Sequence, residues 1–219
     1  MRLLLLLPIS AITTHSTQAS LVAYWNFNEL SITSAATPGF SGVPISIAAS
    51  QGSGTLDLSS WQGTVDDFAG SIINRLNEDS AEESLSLIAG SANSGNGSSI
   101  TLQISLVGQA NPALSMATQG TATGFNAVQL SWSTDGIQFT DFGASYDPAS
   151  FFTLQSFDLS SVDALDGAPD VWLRLSFDGA SSPTGNNRID NLKIHAMPEP
   201  SAAILAMLGS LLILRRKRC

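Results

Sequence analysis

Cysteine, histidine and charge are scarce in this chain. Its 219 residues include one Cys and two His, and only 12% are charged. The lone cysteine is Cys219, at the very end, so no disulfide can staple the fold from within. Zinc centres draw on clusters of His and Cys, and these are missing. Nor is there a Gly-x-Ser-x-Gly turn, so a Ser–His–Asp triad would have to be built around His195 alone, because His15 lies in the leader described below. Bases are few as well: 9 Lys+Arg stand against 18 Asp+Glu. A nucleic-acid binder needs a basic face for phosphates, and this balance argues against one. So little charge also argues against a coiled coil or a charge-laced helical bundle. What the chain does have is apolar residues, 43% of the total, enough to pack a core and to exclude general disorder.

The two ends read as processing segments. Arg2 precedes the run Leu3 to Leu7, with Ile9, Ala11 and Ile12 beyond, and polar residues then lead to Thr17-Gln18-Ala19. A basic start, a short apolar stretch and small residues at positions −3 and −1 predict a signal peptide over 1–19, cut between Ala19 and Ser20. Pro8 and the Ser/Thr-rich stretch after it suit a buried N-terminal helix less well. At the other end Ser201 to Leu214 is uncharged and mostly apolar, and Arg215, Arg216, Lys217 and Arg218 follow at once. Those 14 residues would make roughly 21 Å of helix, short of a bilayer core of about 30 Å. Such a segment suits transient inner-membrane insertion better than a permanent tail anchor. Its basic end should stay cytoplasmic.

Between the ends, residues 20–196 carry four bases (Arg75, Arg174, Arg188, Lys193) against an excess of acids, a surface that keeps an exported domain soluble and repels anionic membranes. Alternation with period two runs through this region. Leu21, Ala23, Trp25 and Phe27 share one face of a predicted first strand, with Val22, Tyr24, Asn26 and Asn28 on the other. Further strands are predicted around 100–106, 128–132, 171–177 and 192–194. Asn93 to Gly97, Thr134-Asp135-Gly136, Asp166 to Pro169 and Ser182 to Gly185 supply turns between them, and Ser133 to Gly136 reads as a hairpin. Residues 30–60 read as long loops with short edge strands, and the acidic stretch Asn77 to Ser86 as the one place for a helical turn. The expected fold is all-β: an antiparallel β-sandwich of the jelly-roll, lectin-like or galactose-binding-like kind, over 20–196.

The tail carries a resemblance. Pro198-Glu199-Pro200, the short apolar run and the arginine-rich end stand in the order of the PEP-CTERM sorting signal, which the last two dozen residues (197–219) resemble. That likeness implies recognition by an exosortase, a membrane cysteine transpeptidase, after signal peptidase has removed the leader. It implies a precursor held in the inner membrane and a product at the cell surface or in the extracellular matrix, beside exopolysaccharide. The prolines hold their own segment extended, because they lack N–H donors and disfavour helix. A second likeness is more scattered. Tyr24-Trp25-Asn26-Phe27-Asn28, Ser131 to Gly136, and Phe177 to Ala180 with Gly185 to Asn191 resemble segments of secreted sandwich domains that carry the same tail. This likeness implies a lectin-like or carbohydrate-binding-module-like domain and transfers no catalytic residue.

Two candidate sites follow from the residues. First and last strands of a jelly roll often lie side by side, so Asn28 and Glu29 could meet Asp190 and Asn191 and hold a structural calcium ion through their oxygens. The alternative is that the Asn/Asp-rich stretch only shapes a turn, with Arg188 pairing to Asp190 or Asp178. Tyr24, Trp61, Tyr146 and Trp172 are the candidate sugar-stacking platforms on non-core faces or loops; the alternative role of each is packing. Glycosidase chemistry needs only two carboxylates, and Glu29, Asp66, Asp67, Glu82 and Glu83 are present, but acids are too common here to single out a pair. The leading expectation is a non-enzymatic cell-surface or matrix protein associated with exopolysaccharide. The alternatives are a carbohydrate-binding module with specific sugar affinity and, third, a glycan hydrolase.

Overall fold

Residues 18–29 and 46–199 are described in a computed structural model. The strands, in chain order, are β1 (Ser20–Trp25), β2 (Ser46–Ala48), β3 (Gln51–Gly52), β4 (Thr55–Asp57), β5 (Thr64–Ala69), β6 (Glu83–Ile88), β7 (Ser98–Ile104), β8 (Gln109–Gly120), β9 (Ala127–Ser133), β10 (Thr140–Tyr146), β11 (Thr153–Asp158), β12 (Val171–Asp178) and β13 (Asn186–Pro198). The only helical pieces among the described residues are single 3-10 turns at Ser91–Asn93 and Asp163–Leu165. All pairings are antiparallel, and they form two sheets. One runs β11-β8-β13-β1-β3, with β6 also paired to β13 and β5 to β6. The other runs β10-β9-β12-β7-β4-β2. The molecule is an all-β sandwich of two antiparallel sheets.

The period-two pattern explains the second sheet. Ile100, Leu102 and Ile104 of β7 and Val171, Leu173, Leu175 and Phe177 of β12 are all buried against the facing sheet. Between them stand Thr101, Gln103, Trp172, Arg174 and Ser176, which pair across strands on the outer face. From the first sheet Trp25, Leu85, Leu87, Leu114, Ile189 and Ile194 complete the core. At one end Trp61, Phe125 and Phe177 meet edge-to-face, with centroids 5.3, 5.5 and 5.7 Å apart. Each such pair adds about 0.5–1.5 kcal/mol beyond burial.

First and last strands do lie side by side: Ser20 is opposite Ala196 and Trp25 opposite Leu192. The long strand β13 changes partner on that edge. Its first half, Asn186 to Ile189, pairs with β6, and its second half, from Leu192 on, pairs with β1. The changeover falls at Asp190-Asn191. There the register with β8 also slips, and Asn191 adopts φ 49°, a left-handed conformation that Asn tolerates better than most residues. This bulge lets Ile189 and Leu192, three apart, both face the core, which strict alternation forbids.

The sequence expected a helical turn within Asn77 to Ser86. That stretch instead holds a turn followed by β6 from Glu83 onward. The apolar positions Leu85 and Leu87 pair across β5 and β13, and sheet pairing outweighs local preference. The short edge strands expected in 30–60 are present as β2 and β3, while the equally short β4 is paired on both sides, to β2 and β7; residues 30–45 lie outside the described residues.

Candidate functional site

The changeover in β13 leaves two positions of one strand edge unpaired, and residues 70–80 fold over the gap. Asp190 is 1% exposed and Asn191 also 1%. The Asp190 carboxylate accepts the backbone N–H of Ser71 (2.6 Å) and of Asn191 (2.8 Å). Burial pushes its pKa up to about 7, against the pull of those two donors and with the help of nearby Asp79. Nδ2 of Asn191 donates toward three oxygens, Ser71 O (2.6 Å), Ile73 O (3.1 Å) and Asp190 Oδ2 (3.2 Å). Its Oδ1 accepts the Tyr24 hydroxyl. Tyr24 also reaches Asp79 at 3.1 Å and accepts the Leu76 N–H at 3.3 Å, and desolvation holds its hydroxyl pKa well above the ordinary tyrosine range. Asn26 and Asn28 donate to the Asp79 carboxylate, while Asn28 Oδ1 accepts the Glu83 N–H. Asn74 fastens the lid of this knot to the Asn191 carbonyl (2.7 Å) and to Ser115.

Of the four residues expected to hold calcium, the fold therefore brings Asn28, Asp190 and Asn191 into one cluster and leaves Glu29 exposed. The placement differs from the expected one: β1 ends at Trp25, and Asp190-Asn191 stand in the middle of β13, not at its start. Both carboxylates already accept N–H or O–H donors at each oxygen. The point where three oxygens converge is taken by an amide nitrogen of the chain itself. Among the described residues no three His, Cys, Asp or Glu side chains gather as a metal set. As arranged, these groups fit a closed hydrogen-bond knot and not the oxygen ring that calcium needs. Arg188 pairs with neither Asp190 nor Asp178; its guanidinium lies over the Phe68 ring at 4.6 Å.

The four candidate aromatics separate by environment. Trp61 is a core residue, 2% exposed, its indole N–H bonded to the Thr64 carbonyl. Tyr24 does stand on the outer side of its sheet, opposite Lys193, yet it is fully buried because residues 70–80 cover it. Tyr146 is opposite Val128 on the inner side and packs against Phe157, with ring centroids 5.9 Å apart. These three are not free stacking platforms. Of the four, Trp172 alone is on an outer face and still partly exposed, between Gln103 and Ser133 of the neighbouring strands.

The Trp172 face holds residues that sequence reasoning missed. Two positions along β12, the Arg174 guanidinium lies 3.7 Å above the Phe139 ring. The only ion pair among the described residues is Arg75–Glu78, so Arg174 has no carboxylate partner there, and its Nε is buried without a hydrogen bond. Neutral polar residues surround it: Thr101 and the buried Ser131 directly across the strands, Ser176 two positions along β12, and Ser99 and Gln129 opposite Ser176. Beside Gln103 opens a shallow cavity of about 310 Å³ lined by Gly54, Thr55, Ser105, Pro169 and Asp170. The alternation in β12 marks Arg174 as outward-facing, but nothing local marks Phe139, which reaches it from the far side of a turn.

Of the other expected features, Ala19 is exposed and Ser20 opens β1, while the rest of the leader lies outside the described residues. Pro198 closes β13, Glu199 follows it, and both are exposed; Pro200 and the apolar run 201–214 lie outside the described residues. Among the described residues no helix is long and apolar enough to cross a membrane. His195 is half-buried in β13, its pKa lowered by burial and by Lys193.

No family model matches the chain, and no curated protein does. Its fold is similar to those of carbohydrate-binding modules among the solved structures. The CBM22-1 xylan-binding domain from Paenibacillus barcinonensis Xyn10C is 11% identical, with TM-score 0.44 over 85% of this chain and all of that one. TmCBM61, solved with beta-1,4-galactotriose, is 10% identical, with TM-score 0.38 over 64% of this chain and 85% of that one. The K2 cleaved adhesin domain of Lys-gingipain is 11% identical, with TM-score 0.43 over 64% of this chain and 87% of that one. With so few identical residues and TM-scores this low, no ligand carries over to this chain.

Proposed function

We propose that the protein is an exported, non-enzymatic component of the cell surface or extracellular matrix, associated with exopolysaccharide through the outer face of its β10-β9-β12-β7-β4-β2 sheet. In this reading signal peptidase removes residues 1–19, the apolar run 201–214 holds the precursor in the inner membrane, and an exosortase acts at Pro198-Glu199-Pro200. The ordered tail supports that route: motif, short apolar run, then Arg215 to Arg218. The observation that carries the sugar contact is the row Trp172–Arg174, an indole and a guanidinium side by side on the outer face of the sheet, next to the exposed Gln103. An indole offers an apolar plane to a pyranose ring, and the flanking Gln103 and Thr101 offer donors and acceptors to its hydroxyls.

A glycan array followed by titration calorimetry tests it, with the host's own exopolysaccharide included. The expected result is binding that Trp172→Ala weakens at least tenfold without loss of fold. Absence of binding to any glycan would reduce the role to a purely structural one. Release of reducing ends from a polysaccharide would instead make the protein a hydrolase.

A further inference from the structure

The three residues around the sorting motif that the structure describes are not a free linker. Met197 is opposite Ala110 and Pro198 opposite Gln109, the last two pairs of the β13–β8 ladder. The Glu199 N–H then donates to the Gly108 carbonyl at 2.9 Å. The Glu199 side chain lies over Gly167, where an added Cβ would stand 3.0 Å from Oε1. Gly167 is itself tied to the same corner, donating its N–H to Gln109 O at 2.8 Å. Both Gly108 and Gly167 have positive φ, 70° and 65°, so this corner is built from two tight turns that present backbone and no side chain to Glu199. The hold is real but light: Pro198 has no N–H to give to the ladder, and Met197, Pro198 and Glu199 are all exposed. On the opposite edge β1 reaches only as far as Ala196, through Ser20.

We propose that this contact is a latch on the processing site: the end of β13 must unzip from β8 before a membrane transpeptidase can take up Pro198-Glu199 in its groove. The inference rests on reading the tail as a sorting signal. A backbone already paired on one edge cannot also be enclosed by a protease cleft, which needs the strand free on both sides. Folding therefore closes the site and thermal fraying of the strand end opens it. The rate of release is set in part by a contact inside the domain, more than 80 residues away in sequence from the motif it covers.

The test uses the full chain expressed in a host with a working exosortase, in a Cys219→Ser background so that no other thiol is present. Met197→Cys with Ala110→Cys places two thiols at an antiparallel cross-strand pair, within the Cα separation of about 4.4–6.8 Å that a disulfide spans. In pulse-chase, the oxidised double variant should persist as precursor for at least ten times longer than the parent, and a reducing agent should restore the parent rate. Conversely, a Gly-Ser-Gly-Ser insertion between Ala196 and Met197 should speed processing by roughly two- to tenfold, the worth of one lost ladder bond. Recovery of the parent rate on reduction shows that the double variant is folded and exported. If the oxidised variant is cut as fast as the parent, the latch is wrong and the enzyme reads the strand from its open edge. If the parent itself keeps Arg215 to Arg218 in such a host, the sorting reading fails and the latch with it.

Discussion

Oδ2 of Asp190 accepts the backbone N–H of Ser71 at 2.6 Å, joining the lid over the sheet to a carboxyl that is 1% exposed. Burial raises that carboxyl from its ordinary 3.8 to about 7. An acid with a raised folded pKa holds a proton that the unfolded chain releases near pH 4. Its contribution to stability is therefore complete below about pH 4 and drains away as pH rises to about 7, by up to about 1.4 kcal/mol per pH unit. Urea midpoints of the domain should fall across that window. Asp190→Asn cannot titrate, and it turns an amide toward an N–H donor, so it should cost about 1–3 kcal/mol at pH 4. The gap to wild type should narrow toward pH 7. A gap that widens with pH would mean that Asp190 is held ionised, with a partner of opposite charge.

The second prediction concerns the amide at the centre of the knot. Because Asn191 Nδ2 already faces Ser71 O, Ile73 O and Asp190 Oδ2, no cation is needed to bring those oxygens together. Melting temperature of the wild type should be the same in EDTA and in millimolar calcium. Asn191→Asp replaces the donor by an oxygen and sets two buried carboxyls side by side. It should lose about 3–5 kcal/mol, as an uncompensated buried charge does, and regain part of that with calcium, which takes such an oxygen set. A wild-type melting point that drops in EDTA would restore the ion to this site and displace the amide.

What was legible in the sequence divides along physical lines. Alternation fixed the inner faces of β7, β12 and β9, because a half-buried strand has one pattern and no alternative. It also put first and last strands together by fold class alone. It failed at Asn191, where one left-handed residue resets the count, and at Tyr24, whose outward position is buried by a lid 50 residues later. Only the end of the lid, from Asn77 on, read as part of a helical turn, and nothing marked Asn74 or Asp79, which act through contacts made only after folding. Clusters assembled from distant turns leave no periodic trace.

Trp61 and Trp172 were indistinguishable as candidate platforms, and mutation should separate them. Trp61 fills the corner between Phe125 and Phe177, so Trp61→Ala should cost about 3–5 kcal/mol. Trp172→Ala empties no core volume and should stay within about 1 kcal/mol of wild type in urea titration. Tyr24→Phe, which removes only the hydroxyl from the knot, should fall between them at about 1–3 kcal/mol. Equal losses for Trp61 and Trp172 would show that the outer indole is part of the core and could not serve a sugar.

Gly136 offers a way to move that indole without touching it. It sits at φ 69° in the β9–β10 turn, and a Cβ there would stand 3.0 Å from the Trp172 ring. Gly97 has a similar φ of 76°, but a Cβ on it would meet nothing within 4 Å. Both changes to Ala carry the backbone cost of a left-handed residue, about 1–2 kcal/mol. Only Gly136→Ala should also push the ring aside, so its loss in urea titration should exceed that of Gly97→Ala, and its glycan affinity should drop while that of Gly97→Ala does not. If Gly136→Ala binds glycan as the wild type does, the contact does not depend on the pose of Trp172, and the sugar must lie elsewhere on the sheet.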